Sequence, residues 1–406
     1  MSVLVVGASA AGLTTAEALR RKGFRDRITV LGAECHPPYD RPPLSKQFLL
    51  GDWDESRTRL RPDAMLSALD AEFVLGDPAV SLSDHTVHTT TGRSFTADRV
   101  VIATGLTPRH LPGPPLEGVH VLRTLDDAAA LRKALAPGGG GGSPRPGGGV
   151  ADVVGEGARC GGGGGAARGP RVVVVGDGVL GAEIAATVRK LGFAVTLAGP
   201  QAALMEAQLG SVVGALLGDL HAAEGVELRL GCAVDGLEDV DGRVSGVRLV
   251  GGEVLPADVA VVALGATPAT GWLEGSGLTV DNGIVCDEFC QAGEGIYAAG
   301  DVARWRHEDG FVRLENRTNA TEQALCVAAN IVGEHQPYRP VPYFWTDQFG
   351  TKLQLHGRPS ADLMVAEGTV GERFVAHYRD AGRIVGVLGW NTPKQTRAHR
   401  QHLVGT

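Results

Sequence analysis

The sequence predicts an α/β protein made of two similar halves followed by an α+β unit, and three observations carry that reading. Two apolar runs, Val3-Leu-Val-Val-Gly7 and Arg171-Val-Val-Val-Val-Gly176, each end in small residues and open into a helical pattern. Each is followed later by an apolar strand that ends in a glycine and a Thr-Pro pair: Val100-Val-Ile-Ala-Thr-Gly105-Leu-Thr-Pro108 and Val259-Ala-Val-Val-Ala-Leu-Gly265-Ala-Thr-Pro268. From residue 331 onward the pattern changes to short alternating strands with tight turns.

The first turn, Gly7-Ala-Ser9-Ala-Ala11-Gly12, has the spacing G-x-S-x-x-G. A tight strand-to-helix turn leaves backbone N–H groups free at the helix N-terminus, a geometry suited to a pyrophosphate. Because Ser9 departs from G-x-G-x-x-G, the stretch alone fits a dinucleotide turn and a plain β-α turn equally well. A helix over Leu13–Arg20 closes at Gly23-Phe24, and Arg27–Leu31 reads as the second strand. Glu34 follows about twenty residues after the turn, where a carboxylate accepts from both hydroxyls of an adenosine ribose; a solvated loop charge is the plain alternative. In His36-Pro-Pro-Tyr-Asp-Arg41-Pro-Pro-Leu-Ser-Lys46 the prolines stiffen the loop and hold Arg41 and Lys46 in place for pyrophosphate or flavin contact.

Short strands at 72–76, 79–82, 86–90 and 94–101 form a meander leading to Ala103-Thr104-Gly105, and Pro112-Gly-Pro-Pro115 marks a domain exit. A helix is predicted over 125–135. Between Pro137 and Pro170, 16 of 34 residues are glycine. Such a stretch buries too little apolar surface to offset its ordering entropy, so it reads as a flexible insertion with Cys160 as an exposed thiol. Immediately after it, Gly176-Asp-Gly178-Val-Leu180-Gly181 completes G-x-G-x-x-G between a four-valine strand and a helix with Ile184, Ala185, Val188 and Leu191 on its apolar face. This is the stronger dinucleotide signal, yet the next strand ends Ala198-Gly-Pro-Gln-Ala-Ala203, with neither the acid that reads an NADH ribose nor an arginine for an NADPH phosphate. A second β-rich stretch runs to Gly265. Asp301, in Gly295-Ile-Tyr-Ala-Ala-Gly-Asp301, leaves a strand through a small-residue turn, placed to hold a flavin's ribityl hydroxyls or to act as a simple turn acid. A helix near 319–332, four strands with a hairpin at Asp380-Ala-Gly382, and a basic helix over 394–404 complete the chain.

With 406 residues and a net charge of −8, the chain is large enough for two or three domains and lacks the dense basic face of a nonspecific nucleic-acid binder. No apolar run of membrane-spanning length is present, and the N-terminus enters a strand directly, so no membrane association and a cytoplasmic location are expected. The six cysteines form no C-x-x-C pair and no metal-ligand spacing, and read as free buried thiols.

These residues together resemble the bacterial ferredoxin reductases of the glutathione-reductase-like flavoprotein class, NADH-dependent enzymes that serve cytochrome P450 or dioxygenase systems. The resemblance is carried by GASAAG at 7–12, PYDRPPLSK at 38–46, ATG at 103–105, GDGVLGAE at 176–183, GIYAAGD at 295–301 and PYFWTDQ at 342–348, and it covers the chain outside the glycine-rich insertion. It implies FAD contacts for Gly7, Ser9, Ala11, Gly12, Glu34, Arg41, Lys46, Val80, Ala103, Thr104, Gly105, Arg123 and Asp301. Lys46 and Trp345 would lie close to the isoalloxazine ring. Gly176, Gly178, Leu180, Gly181 and Gly265 would frame the NADH (or NADPH) site, with Glu183 directed towards the nicotinamide. Arg317 stands where the family commonly has an aromatic residue, which would place a cation near the flavin. Disulfide reductases on this fold use a cysteine pair beside the flavin, and peroxidase relatives use one in the loop occupied here by Arg41–Lys46; neither occurs here.

The resemblance therefore implies two Rossmann-like dinucleotide-binding domains, for FAD (1–115 and 255–330) and NAD(P) (116–254), and a C-terminal α+β interface domain over 331–406 that helps to dock an iron–sulfur ferredoxin. The expected activity is an NAD(P)H:ferredoxin reductase, in which hydride passes from nicotinamide C4 to flavin N5 and single electrons pass on to the ferredoxin. A diaphorase for a small acceptor and a flavoprotein redox sensor are the alternatives.

Overall fold

The computed structural model describes residues 1–136, 169–308 and 310–403. The glycine-rich insertion and its Cys160 lie outside the described residues.

The first half is a six-stranded sheet in the order Gln291–Gly293, Ile296–Ala298, Arg99–Ile102, Val3–Val6, Ile28–Gly32, Glu72–Leu75. Its central strands are parallel and buried on both faces, which is why they read as continuous apolar runs rather than alternating ones. Ile296–Ala298 pairs with Arg99–Ile102, so a late segment closes the first sheet and this domain is discontinuous in sequence. The helix Ala10–Arg21 lies against Arg317–Ile331, with Ala11 and Ala320 both against Gly300.

The second half is an all-parallel five-stranded sheet in the order Glu227–Leu230, Ala194–Gly199, Arg171–Val175, Val259–Val262, Val119–His120. Val259–Val262 was expected in the first domain, with a boundary at 255. Its register against Val172–Val175 instead puts it inside the second sheet. The chain returns to the first half through Ala266–Pro268, which pairs antiparallel with Leu106–Pro108. These are the two Thr-Pro segments of the sequence repeat, and together they form the seam between the halves. Gly105 and Gly265 precede them at φ +69° and +78°, a region glycine enters without steric cost.

The C-terminal unit is a five-stranded antiparallel sheet, ordered Tyr343–Gln348, Thr351–Gly357, Arg383–Trp390, Arg373–Asp380, Asp362–Thr369. The closing helix covers only Pro393–His399, followed by a tighter turn over Arg400–Leu403. Leu353, Leu355, Phe374, Tyr378 and Leu388 share one buried cluster with Val172, Leu204 and Leu209 of the second half. Tyr378 also donates its hydroxyl to the Leu209 carbonyl. This unit is therefore anchored on the second domain, and its first strand, Tyr343–Gln348, lies against the helix Val179–Lys190. Among the described residues no helix is long and apolar enough to cross a membrane.

Candidate functional site

Both glycine turns are built by the same contacts. A Cβ on Gly7 would lie 2.2 Å from the Ala103 carbonyl oxygen, and one on Gly176 would lie 2.2 Å from that of Ala263. A Cβ on Gly12 would stand 1.8 Å from the Gly7 oxygen, and one on Gly181 would stand 1.9 Å from the Gly176 oxygen. These glycines are demanded by the backbone itself. At Gly178 nothing lies within 4 Å of an added Cβ, so the turn tolerates a small side chain there, and Ser9 is accommodated at the matching position. Ser9 and Gly178 cap their helices without any side-chain hydrogen bond, which leaves the first-turn N–H groups of both helices available to a bound phosphate.

Above the first turn is a cavity of about 640 Å³, lined among others by Gly7, Ser9, Glu34, Arg41, Thr104 and Arg123. Glu34 is no free loop charge. Arg41 Nη2 lies 2.7 Å from its Oε1, and the Tyr39 hydroxyl donates to its Oε2. Tyr39 OH in turn accepts from the Leu125 N–H at 3.0 Å, and burial pushes its pKa up, so it stays a neutral donor. Tyr39 was not singled out from the sequence; its signal was an aromatic residue inside a proline-clamped loop. Arg123, which lines the cavity, has its Nη2 3.5 Å from Asp301 Oδ2, and its Nε is buried without a partner. Burial raises the Asp301 pKa against the opposing pull of Arg123. The orphaned guanidinium N–H and the loosely held carboxylate fit polar groups of a bound dinucleotide, and so do the Cβ-free turns. Val80, expected at the FAD site, is 47% exposed, and its neighbours Asp77, Pro78 and Ala79 line the cavity.

Lys46 and Glu183 meet between the two halves. Lys46 lies on a short π-type helical turn, Leu44–Phe48, where the sequence predicted only a stiff loop. Its Nζ is 2.6 Å from Glu183 Oε2, with side-chain exposures of 11% and 7%, so the pair is screened from water. Ser45 Oγ donates to the same oxygen at 2.5 Å, and Thr346 Oγ1 donates to Glu183 Oε1 at 2.8 Å. The Thr346 hydroxyl accepts from Gln348 Nε2 at 2.9 Å, and Gln348 Oε1 accepts from His221 Nε2 at 2.7 Å. Two segments distant in sequence, 45–46 and 346–348, thus hold one carboxylate in place, and His221 braces the second of them. Ser45, Thr346, Gln348 and His221 went unrecognised in the sequence, although the spacing of Thr346 and Gln348 puts both on one face of a strand.

Trp345, on the opposite face, stacks on Tyr343 with ring centroids 5.9 Å apart. It borders a second cavity, of about 410 Å³, with Asp40, Arg317 and Thr321. Arg317 opens the helix Arg317–Ile331, and its Nε donates to Asp40 Oδ1 at 2.6 Å, so its charge is partly neutralised. Leu180 packs against the second-domain core. Among the described residues all cysteines are free, and none lines either cavity; Cys35 is exposed rather than buried.

His221 is fully buried, and burial drives its pKa down to about 4, so its imidazole is neutral. The unfolded chain binds a proton there below pH 6.5 and the folded chain does so only near 4. Stability is therefore fully present above pH 6.5 and falls by about 3 kcal/mol as pH drops towards 4. His356, likewise lowered to about 4, adds to the same window. Denaturant midpoints at pH 7, 5.5 and 4.5 are expected to decline, and His221→Gln is expected to flatten roughly half of that decline. An equal decline in His221→Gln would assign it to other groups.

Comparison with known proteins places this geometry. Residues 1–324 match the family model described as pyridine nucleotide-disulphide oxidoreductase, and residues 343–405 match that described as reductase C-terminal. The chain is 34% identical over 412 residues to rhodocoxin reductase of Rhodococcus erythropolis, covering 99% of this chain and 89% of that protein. It is 34% identical over 402 residues to the ferredoxin reductase component of chlorobenzene dioxygenase of Cupriavidus sp. (strain PS12), covering 97% and 90%. Among solved structures, it is similar to the covalent putidaredoxin reductase–putidaredoxin complex with a TM-score of 0.85 and 30% identity, covering 99% of this chain and 92% of that one. With the two turns, the buried pair between them and the C-terminal sheet, the chain belongs to the pyridine nucleotide-disulphide oxidoreductase family and carries its reductase C-terminal domain.

Proposed function

We propose that this chain is an FAD-containing, NADH-dependent ferredoxin reductase that delivers electrons, through an iron–sulfur ferredoxin, to a cytochrome P450 or another oxygenase. The observation that carries the reading is the buried Lys46–Glu183 pair at the junction of two dinucleotide turns, with no cysteine pair beside it among the described residues. An electron acceptor then takes electrons without a protein dithiol in between. When bound, FAD supplies the redox chemistry that joins a two-electron donor to a one-electron acceptor.

The chain's own residues bind and orient. The turns over 7–12 and 176–181 hold the pyrophosphates on free helix N–H groups. Glu34, fixed by Arg41 and Tyr39, would receive the ribose hydroxyls of FAD, and Asp301 with Arg123 would receive its ribityl chain. Lys46 would place its ammonium beside the isoalloxazine, held there by Glu183, which would face the nicotinamide. The strand Tyr343–Gln348 meets this junction through Thr346, and Trp345, on its other face, borders the second cavity beside Arg317. A cytoplasmic location follows from this partner set.

Anaerobic stopped-flow bleaching of the flavin by NADH, with cytochrome c reduction measured with and without added ferredoxin, tests the reading. Fast bleaching with ferredoxin-dependent cytochrome c reduction is expected. Equal cytochrome c reduction without ferredoxin would reassign the protein as a small-acceptor diaphorase, and very slow bleaching would reassign it as a redox sensor.

A further inference from the structure

The second turn lacks an acid at the end of its second strand, and the structure shows that the space for one is already filled. Gly199 ends the strand Ala194–Gly199. A Cβ placed on it would lie 2.3 Å from Asp177 Cγ and 2.3 Å from Asp177 Oδ2. Asp177 comes from the neighbouring strand's turn, between Gly176 and Gly178. Its carboxylate occupies the volume of a side chain at 199, with an oxygen as near that Cβ as an aspartate's own carboxylate oxygens are to theirs. Gly199 carries no left-handed φ, so the backbone does not explain its glycine; the Asp177 carboxylate does.

The carboxylate is held firmly. Oδ2 accepts from the Gln201 N–H at 2.7 Å and Oδ1 from Gln201 Nε2 at 2.7 Å. Gln201 Oε1 accepts from the Ala207 N–H at 2.7 Å, which sets the orientation of the amide. Each Asp177 oxygen retains acceptor capacity beyond these bonds. The surroundings disfavour a further phosphate. From Ala194 to Gly218 the chain has no lysine or arginine. Glu206, whose Oε2 accepts from the Ala202 N–H at 3.1 Å, adds a second carboxylate at the rim. Arg229, opposite Ala198 in the adjacent strand, is already paired with Glu227 at 2.6 Å and with Glu253 at 3.5 Å.

We propose that Asp177 is the specificity-determining residue of the second dinucleotide site. It accepts from the 2′-hydroxyl of the adenosine ribose and repels a 2′-phosphate, a task that the fold ordinarily gives to the residue at 199. The proposal rests on the reading of this half as the nicotinamide-nucleotide domain. The competing role for Asp177 is as an anchor for the loop over 200–207 and nothing more.

The test is calorimetric titration of the oxidised, FAD-loaded protein with ADP-ribose and with 2′-phospho-ADP-ribose, neither of which undergoes redox chemistry. The unmodified protein is expected to bind ADP-ribose at least about tenfold more tightly. Asp177→Asn keeps the volume and one acceptor but removes the charge, and is expected to bring the two affinities within about threefold, mainly by tighter binding of the phosphorylated probe. The double variant Asp177→Ala/Gly199→Asp frees the space and returns the acid to the strand end, and is expected to restore most of the preference. A preference in Asp177→Asn within about twofold of the unmodified value overturns the proposal and leaves Asp177 as a loop anchor. If the double variant does not fold, Asp177→Asn decides alone. Binding of neither probe by the unmodified, flavin-loaded protein overturns the domain reading and the proposal together, a result distinct from the first.

Discussion

Replacing Lys46 with methionine is expected to slow flavin bleaching by NADH by about tenfold to a hundredfold. The side chain keeps its length, but the ammonium that Glu183 holds at 2.6 Å disappears. Glu183 then has only the Ser45 and Thr346 hydroxyls as donors, and its charge is buried without a cation. Breaking a buried pair on one side costs about 3 kcal/mol, less whatever those two hydroxyls recover. Rate and stability are separable with a second substitution. Lys46→Met/Glu183→Leu removes both charges from the same buried site and is expected to regain part of the lost stability, less what the Ser45 and Thr346 hydroxyls lose as donors, while the bleaching rate stays low. Recovery of both would make the pair a packing device. A bleaching rate in Lys46→Met within twofold of the unmodified protein would remove Lys46 from the reaction altogether.

What the sequence disclosed about the fold and this site follows the range of the interactions. The glycine turns are local: Gly7, Gly12, Gly176 and Gly181 answer to atoms of their own strand-turn-helix units and of the strand alongside, so spacing alone exposes them. Glu34 and Asp301 stand out as candidates because each follows a strand through a short turn, Glu34 about twenty residues after the first glycine turn. The environment of Glu183 was not legible as a set, because Ser45 and Thr346 reach it from two other segments, with His221 behind Gln348 from a third, and no periodicity links residues 138 and 163 positions apart. Strand membership at Val259–Val262 failed for a related reason: the four residues are apolar on both faces and would suit the centre of either sheet, and only pairing decides between them. Asp177 occupies one of the unspecified positions of the G-x-G-x-x-G motif, where spacing assigns no role to it. Its meaning depends on Gly199, which the sequence offered only as an absence.

Gly12→Ala is expected to abolish FAD retention. The added methyl group would lie 1.8 Å from the Gly7 carbonyl oxygen and 3.2 Å from Val5 Cγ1, a backbone atom and a buried side chain that have nowhere to move. The helix Ala10–Arg21 must then lift away from the turn, and the N–H groups at its start no longer converge on one phosphate position. Overpacking at such a contact costs about 3 kcal/mol, so the sheet survives in part while the site does not. Purified Gly12→Ala is expected to lose its visible flavin absorbance on dialysis, and its thermal midpoint should no longer respond to added FAD. Gly178→Ser supplies the contrast. It introduces into the second turn the residue that Ser9 provides in the first, at a point with nothing within 4 Å, and is expected to leave both flavin content and thermal midpoint unchanged. Its effect belongs to the nucleotide instead: a side chain where only the ligand approaches should raise the KM for NADH severalfold. If Gly12→Ala retains stoichiometric FAD, the close approach of helix and turn is not what forms the site. If Gly178→Ser loses flavin, the two turns are not built alike.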